Sequence, residues 1–213
     1  MHPAAVLSPA VMNLIEQLSA ALGLATLAGL NLYLTVFVAG LAVRYNWLDL
    51  ASQHESLAVL GNPWVLGVAG VMFVIEFFAD KIPWVDSTWD VAHTIIRPAG
   101  GVVLAIAALG DMNPAVLAIG GLLAGGAALA THGTKAGVRT VVNLSPEPVS
   151  NSVASVTEDG VVLGGLGLLG FFPVVAFVVF LIFAIACAVF ATWLWRKILR
   201  RRTARGPAMD VIG

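Results

Sequence analysis

Six residues in one short stretch carry most of the chemistry in this chain: Glu76, Asp80, Asp86, Asp90, His93 and Arg97. Glu76 and Asp80 are four apart and share a helix face. Asp86, Asp90, His93 and Arg97 are spaced four, three and four, so on a helix they form one continuous stripe. An acid and a histidine at i, i+3, as in Asp90 and His93, make half a site for a divalent cation. Glu76 and Asp80 from a neighbouring helix would complete an oxygen-rich shell suited to magnesium, manganese or calcium. Carboxylates beside an imidazole are also what a proton relay uses. The same residues allow a purely structural reading. Glu76 or Asp80 would pair with Arg97, Asp90 with Lys81, and the cluster would fix a helical hairpin without binding anything. Lys81 is placed to neutralise Asp80 or Glu76.

A second stripe is cationic. His132, Lys135, Arg139 and Asn143 are spaced three, four and four. They would contact a lipid phosphate or small anion, or pair with the acidic hairpin. His132-Gly133-Thr134-Lys135 lacks the two-glycine pattern and preceding strand of a phosphate loop, so a nucleotide site is not expected. Asn143–Asn151, with prolines at 146 and 148, is a rigid polar turn, and Ser150 or Asn151 could cap the next helix. Glu158 and Asp159 are too polar to face lipid and should meet Arg97 or Arg139, or line a cavity. No Ser–His–Asp or Cys–His arrangement stands out. The single cysteine, Cys187, forms neither an intrachain disulfide nor a Cys-based zinc site, and reads as a small buried apolar residue.

The elements that must position these residues follow from composition. The 213 residues are 59% hydrophobic and 11% charged, with net charge -1 and mean hydropathy +0.94. Soluble domains carry about 25% charged residues, so an ordinary cytosolic enzyme and a disordered chain are both excluded. No basic field favours nucleic acid. The class is a polytopic, all-α transmembrane bundle of about six spans. The first lies within Val11–Leu48 and is long enough that Gly29-Leu30-Asn31 could break it in two. The others run from Pro63 to Lys81, from about Val91 to Gly110, Pro114 to Thr131, Val153 to Gly170 and Pro173 to Trp195. Residues 1–205 read as one transmembrane domain and 206–213 as a flexible cytoplasmic tail. Met1 to Ser8 lacks the basic residues of a secretory signal, so the first apolar stretch is read as retained.

Six spans with both termini cytoplasmic place ten of the eleven Lys and Arg on the inner side, leaving only Arg44 outside. Trp47 and Trp64 would mark the outer boundary, and Trp193 and Trp195 the inner one. Arg200-Arg201-Arg202 would hold anionic lipid. Spaced glycine pairs (Gly121/Gly125, Gly133/Gly137, Gly160/Gly164) would let helices pack closely. Segments 62–110 and 114–170 share an order of features: apolar helix, polar loop, then Gly101-Val102-Val103-Leu104 or Gly160-Val161-Val162-Leu163. That suggests a parallel repeat of two helical hairpins.

Glu76-Phe77-Phe78-Ala79-Asp80-Lys81-Ile82-Pro83, then Asp86, Asp90, His93-Thr94 and Arg97-Pro98, then His132-Gly133-Thr134-Lys135-Ala136-Gly137-Val138-Arg139 and Ser145-Pro146-Glu147-Pro148, resemble a bacterial family of small membrane proteins known only as a domain of unknown function. The likeness covers roughly Ala20–Leu169. It implies an integral location in a bacterial inner membrane and no established activity, and it carries over no site residue. Glu76-x-x-x-Asp80-Lys81 also resembles the acidic-Asp-Lys signature of small cation exchangers built from repeated hairpins. The spacing here is one residue longer, and Thr134-Lys135 stands where a second acidic motif would be.

The leading expectation is a small transporter or channel-like protein for an ion or small solute, associating as a homo-oligomer in the bilayer. Glu76, Asp80, Asp90 and His93 would form its ion or proton site, with a divalent cation as candidate ligand. Lys81, Arg97, His132, Lys135 and Arg139 would supply charge pairing or anion contact. A lipid-phosphate binder or metal-dependent membrane enzyme, and an accessory protein without ligand, are the alternatives.

Overall fold

The computed structural model describes residues 8–47, 55–142 and 148–204. Among them are seven α-helices and no strand: α1 (Pro9–Leu30), α2 (Leu32–Arg44), α3 (Pro63–Ala79), α4 (Pro83–Leu109), α5 (Pro114–Val142), α6 (Pro148–Phe171) and α7 (Pro173–Ala204). A short 3-10 segment, Glu55–Gly61, precedes α3. Six of the seven α-helices open on proline, whose fixed φ and missing N–H suit the first helical position. Helices α1, α4, α5, α6 and α7 are long and apolar enough to cross a membrane, and α2 and α3 are shorter. The chain is a multi-pass membrane protein. Its exterior carries large apolar side chains such as Val68, Val91, Ile95, Leu122 and Phe172, and its interior combines leucine and alanine with a set of buried polar and charged residues.

The helices extend beyond the apolar runs that announce them. Helix α4 starts at Pro83 rather than near Val91, α5 continues past Thr131 to Val142, and α6 starts at Pro148 rather than near Val153. Hydropathy trims charged turns from a span. Here those turns stay helical because their charges meet partners inside the bundle. Helix α7 likewise runs past Trp195, the expected end of its span, through the basic stretch to Ala204. Residues 205–213 and most of the Asn143–Asn151 turn lie outside the described residues.

Helix α1 is the axis. From Ser19 to Leu30 almost every residue is buried, and its Ala, Gly, Ser and Thr positions let α4, α5, α6 and α7 pack around it. Its register against α6 is antiparallel: Leu27 meets Gly165, Gly23 meets Leu169, and Ser19 Oγ donates to the Pro173 carbonyl at 2.8 Å. Asn31 then breaks the helix. Its φ of -147° and ψ of 101° are extended, its N–H closes α1 on the Leu27 carbonyl, and its Oδ1 caps α2 by accepting from Leu34 N–H at 2.9 Å. Helix α2 runs back the other way, antiparallel to α3, with Phe37 against Gly70 and Gly40 against Leu66.

The first apolar stretch is therefore two helices forming a re-entrant hairpin. Its tip, Asn31, reaches the level of Arg97 and Gly100, midway along α4. The break that the sequence allows at Gly29-Leu30-Asn31 is present. One extra reversal puts the Pro9 end of α1 and the Ala204 end of α7 at opposite ends of the bundle. The hairpins α3–α4 and α5–α6 run in the same direction, as a parallel repeat requires.

The spaced glycines divide. Gly125 faces Val102 of α4 and Gly137 faces Leu194 of α7, whereas Gly160 and Gly164 meet nothing within 4 Å. The tightest crossing is one the spacing pattern does not mark. A Cβ on Gly29 would strike the Ala128 carbonyl and the Thr131 hydroxyl of α5. Gly29→Ala should therefore destabilise the protein by about 2 kcal/mol, within the usual cost of overpacking. Gly160→Ala should leave it unchanged. Thermal unfolding in detergent compares the two, and equal melting temperatures would contradict this crossing.

Candidate ion site

Three cations at the centre of the bundle organise the polar residues. Arg97 of α4 is fully buried. Its Nη2 donates to Glu76 Oε1 on α3, and its Nη1 donates to the Gly29 carbonyl at 3.4 Å and to His132 Nδ1 at 2.9 Å. Asp90 Oδ1 lies 3.8 Å from the same Nη1. Lys135 Nζ of α5 reaches Asp80 Oδ2 at 2.9 Å, Glu158 Oε2 at 3.2 Å and the Leu30 carbonyl at 3.4 Å. Arg139 grips Glu158 with both Nε and Nη2, at 3.2 and 3.0 Å. Its Nη1 donates to the Asp80 carbonyl and to Asn151. Asn31 Nδ2 donates to Asp159 Oδ1 at 3.0 Å.

Local structure explains why these groups meet. The two stripes lie on the facing sides of α4 and α5, because three- and four-residue steps keep one helix face. The broken end of α1 leaves its last carbonyls without intrahelical donors, and a helix C-terminus attracts cations. Arg97 and Lys135 fill that role at Gly29 and Leu30. The break and the charges are thus one structure.

The two histidines differ in what they can carry. A guanidinium only donates, so His132 Nδ1 must accept from Arg97, and its proton sits on Nε2, 3.1 Å from the Asp90 carbonyl and 3.2 Å from Thr94 Oγ1. His132 is held neutral. In His93 the order is reversed. Nδ1 is 2.8 Å from the Trp89 carbonyl and must donate, leaving Nε2 to accept from the Tyr33 hydroxyl at 3.2 Å. Turning that hydroxyl away frees Nε2 for a second proton. Tyr33 packs edge-on against His93, and Trp89 stacks on its other side.

The arrangement is not a divalent-metal shell. Among the described residues, no three His, Cys, Asp or Glu side chains converge as a ligand group. Asp90 faces Arg97, His93 faces Tyr33, and the three cations occupy the space between the acids. Lys81 also departs from expectation. Rather than neutralising Asp80 or Asp90, its Nζ donates to the Phe77 carbonyl at 2.9 Å and lies 3.0 Å above the Phe77 ring. Burial there lowers its affinity for a proton, with Asp159 and Asp80 nearby partly restoring it. Of the sequence candidates, Glu76, Asp80, Asp90, Arg97, His132, Lys135 and Arg139 form one network, which His93 borders. Glu158 joins it as the sequence suggests. Tyr33 and Asn31 were not foreseen as site residues. Asn31 carried a signal, since an amide in the middle of a long apolar run is costly unless it is used.

Loop charge also weighs less than a simple count implies. Arg97, Lys135 and Arg139 are buried and answer to carboxylates, not to a headgroup surface.

The chain belongs to the family described as "Domain of unknown function (DUF4126)", which matches residues 18–197. That description names no activity. No curated protein and no solved structure matches the chain.

Removing one partner from a buried ion pair leaves the other uncompensated, at a cost of about 3–5 kcal/mol. Asp80→Asn and Lys135→Met should each destabilise on about that scale. The double variant should cost at least about 1 kcal/mol less than the sum, because the groups are directly coupled. Additive losses in a thermal or chemical unfolding cycle would contradict the pairing.

Proposed function

We propose that this protein is a small transporter or channel-like protein, and that the buried network is its site for a proton or a single monovalent cation. One observation carries the reading. Among the described residues, the acids around the three buried cations (Arg97, Lys135 and Arg139) outnumber them: Glu76, Asp80, Asp90 and Glu158 are ion-paired with them, and the buried Asp86 is attracted by Arg139. The excess leaves negative charge in the interior of a membrane bundle, where an uncompensated ion costs several kcal/mol. Either a proton or a small cation balances it. Glu76 Oε2, Asp80 Oδ1 and Asp90 Oδ1 are buried without a hydrogen-bond partner and offer places for either.

The surroundings support the same reading. Ionisable groups inside a membrane bundle mark ion pathways and proton relays. Transporter sites lie near mid-membrane where helices are broken, as α1–α2 is at Asn31. Asp90 is the group best placed to exchange its proton, because its carboxylate is held only by a long contact to Arg97. His93 Nε2 is the second candidate carrier. The cationic stripe is saturated by acids, which disfavours its use on lipid phosphate. We place the protein in a bacterial inner membrane with the C-terminal end of α7 cytoplasmic, in keeping with the basic residues that end that helix. The two hairpins are read as repeat units, and a homo-oligomer is expected.

Purified protein in liposomes containing a pH-sensitive dye, driven by a potassium diffusion potential, tests this. Wild type should carry protons well above empty vesicles. Asp90→Asn should lower that flux at least tenfold with little change in melting temperature. Wild-type flux no greater than that of empty vesicles, under proton, sodium and potassium gradients alike, would overturn the proposal.

A further inference from the structure

Between α4 and α5 the outer wall of the bundle carries a polar seam. There Ser87, Asp90 and Thr94, at i, i+3 and i+7 of α4, face Ala136, Arg139 and Thr140 of α5 across a half-open cavity of about 180 Å³. Ser87, Thr94 and Thr140 are exposed at its rim, while Asp90 and Arg139 are buried at its floor. The cavity lies where α4 begins and α5 ends, the end of the bundle that also holds Lys81.

We infer that this cavity is a water-filled vestibule through which protons pass between the aqueous phase and Asp90. Thr94 and Thr140 already donate to the Asp90 and Ala136 carbonyls, but the Asp90 carboxylate facing hydrocarbon would forfeit hydrogen bonds worth several kcal/mol, so lipid is an unfavourable filler, and the volume holds several waters. Asp90 supplies the independent sign of a ligand. It is more than nine-tenths buried, lines the cavity, and its Oδ1 has no hydrogen bond. Arg97 of its own helix, Lys135 of α5, Asp80 at the end of α3 and Glu158 of α6 all act on this carboxylate. His132 Nε2 donates to the carbonyl of the same residue. A proton arriving there enters the charge network directly. The route rests on the proposed ion site, but the hydration of the cavity does not.

Cysteine labelling separates the two. In a Cys187→Ala background, which removes the only native thiol, Ala136→Cys lines the vestibule and Ile95→Cys faces outward beside it. Ile95 is 77% exposed and Ala136 is only half-buried, so exposure alone predicts faster reaction at position 95. A charged, membrane-impermeant methanethiosulfonate needs water. In proteoliposomes it should label Ala136→Cys at least tenfold faster than Ile95→Cys. Labelling of Ala136→Cys as slow as Ile95→Cys, with both reached only by a membrane-permeant maleimide, would overturn the vestibule. If Ala136→Cys labels fast, the adduct should reduce proton flux at least tenfold. Undiminished flux through the labelled protein would overturn the route. Fast labelling of a protein with no wild-type flux would keep the wet cavity and remove the transport reading alone.

Discussion

Everything in this bundle answers to one constraint: charge cannot stand alone in a medium that does not solvate it. The ends of α3, α4, α5 and α6 each bring charged groups inward, and α1 brings two unpaired carbonyls on its broken end. None of these elements could bury its polar face against an apolar neighbour without a cost of several kcal/mol per charge. Packed together, the acids of α3, α4 and α6 answer the cations of α4 and α5, and the α1 carbonyls take the remaining donors on Arg97 and Lys135. The network ties these helices together, because Lys135 and Arg139 each reach an acid at the end of α3 and another on α6.

The outside of the protein follows from the same logic in reverse. Lipid is as apolar as leucine, so helices gain little by burying large apolar residues against each other. Valine and isoleucine lie mostly on the surface, and alanine, glycine and threonine, with a few leucines, on the axis. Close backbone approach then does the packing, as at Gly29 against Ala128 and Gly101 against Ala25.

Much of this was legible in the residues. The apolar excess identifies a membrane bundle, and helical spacing correctly groups Asp86 through Arg97 and His132 through Arg139 onto single faces. What was not legible is long-range. Hydropathy treats Asp86 and Lys135 as loop residues because it cannot see that each meets opposite charge on another helix. Lys81 is adjacent in sequence to Asp80, yet the acid's partners lie fifty-five and fifty-nine positions away. Asn31 signals a break, but not whether the chain continues forward or turns back, because that depends on which helices stand around it. Tyr33 has no periodic signature at all. Its role comes from lying just past the turn, opposite His93.

The re-entrant hairpin has a consequence for how the molecule is made. Its tip emerges early in synthesis, but Asn31 meets its partner Asp159 across 128 positions of chain, and Arg97 and Lys135 also follow later. At ordinary translation rates the hairpin waits on the order of ten seconds for α6. During that interval its bare carbonyls and amide face either water in the insertion machinery or lipid. The hairpin's polar contacts therefore form late, with helices that follow it in the chain.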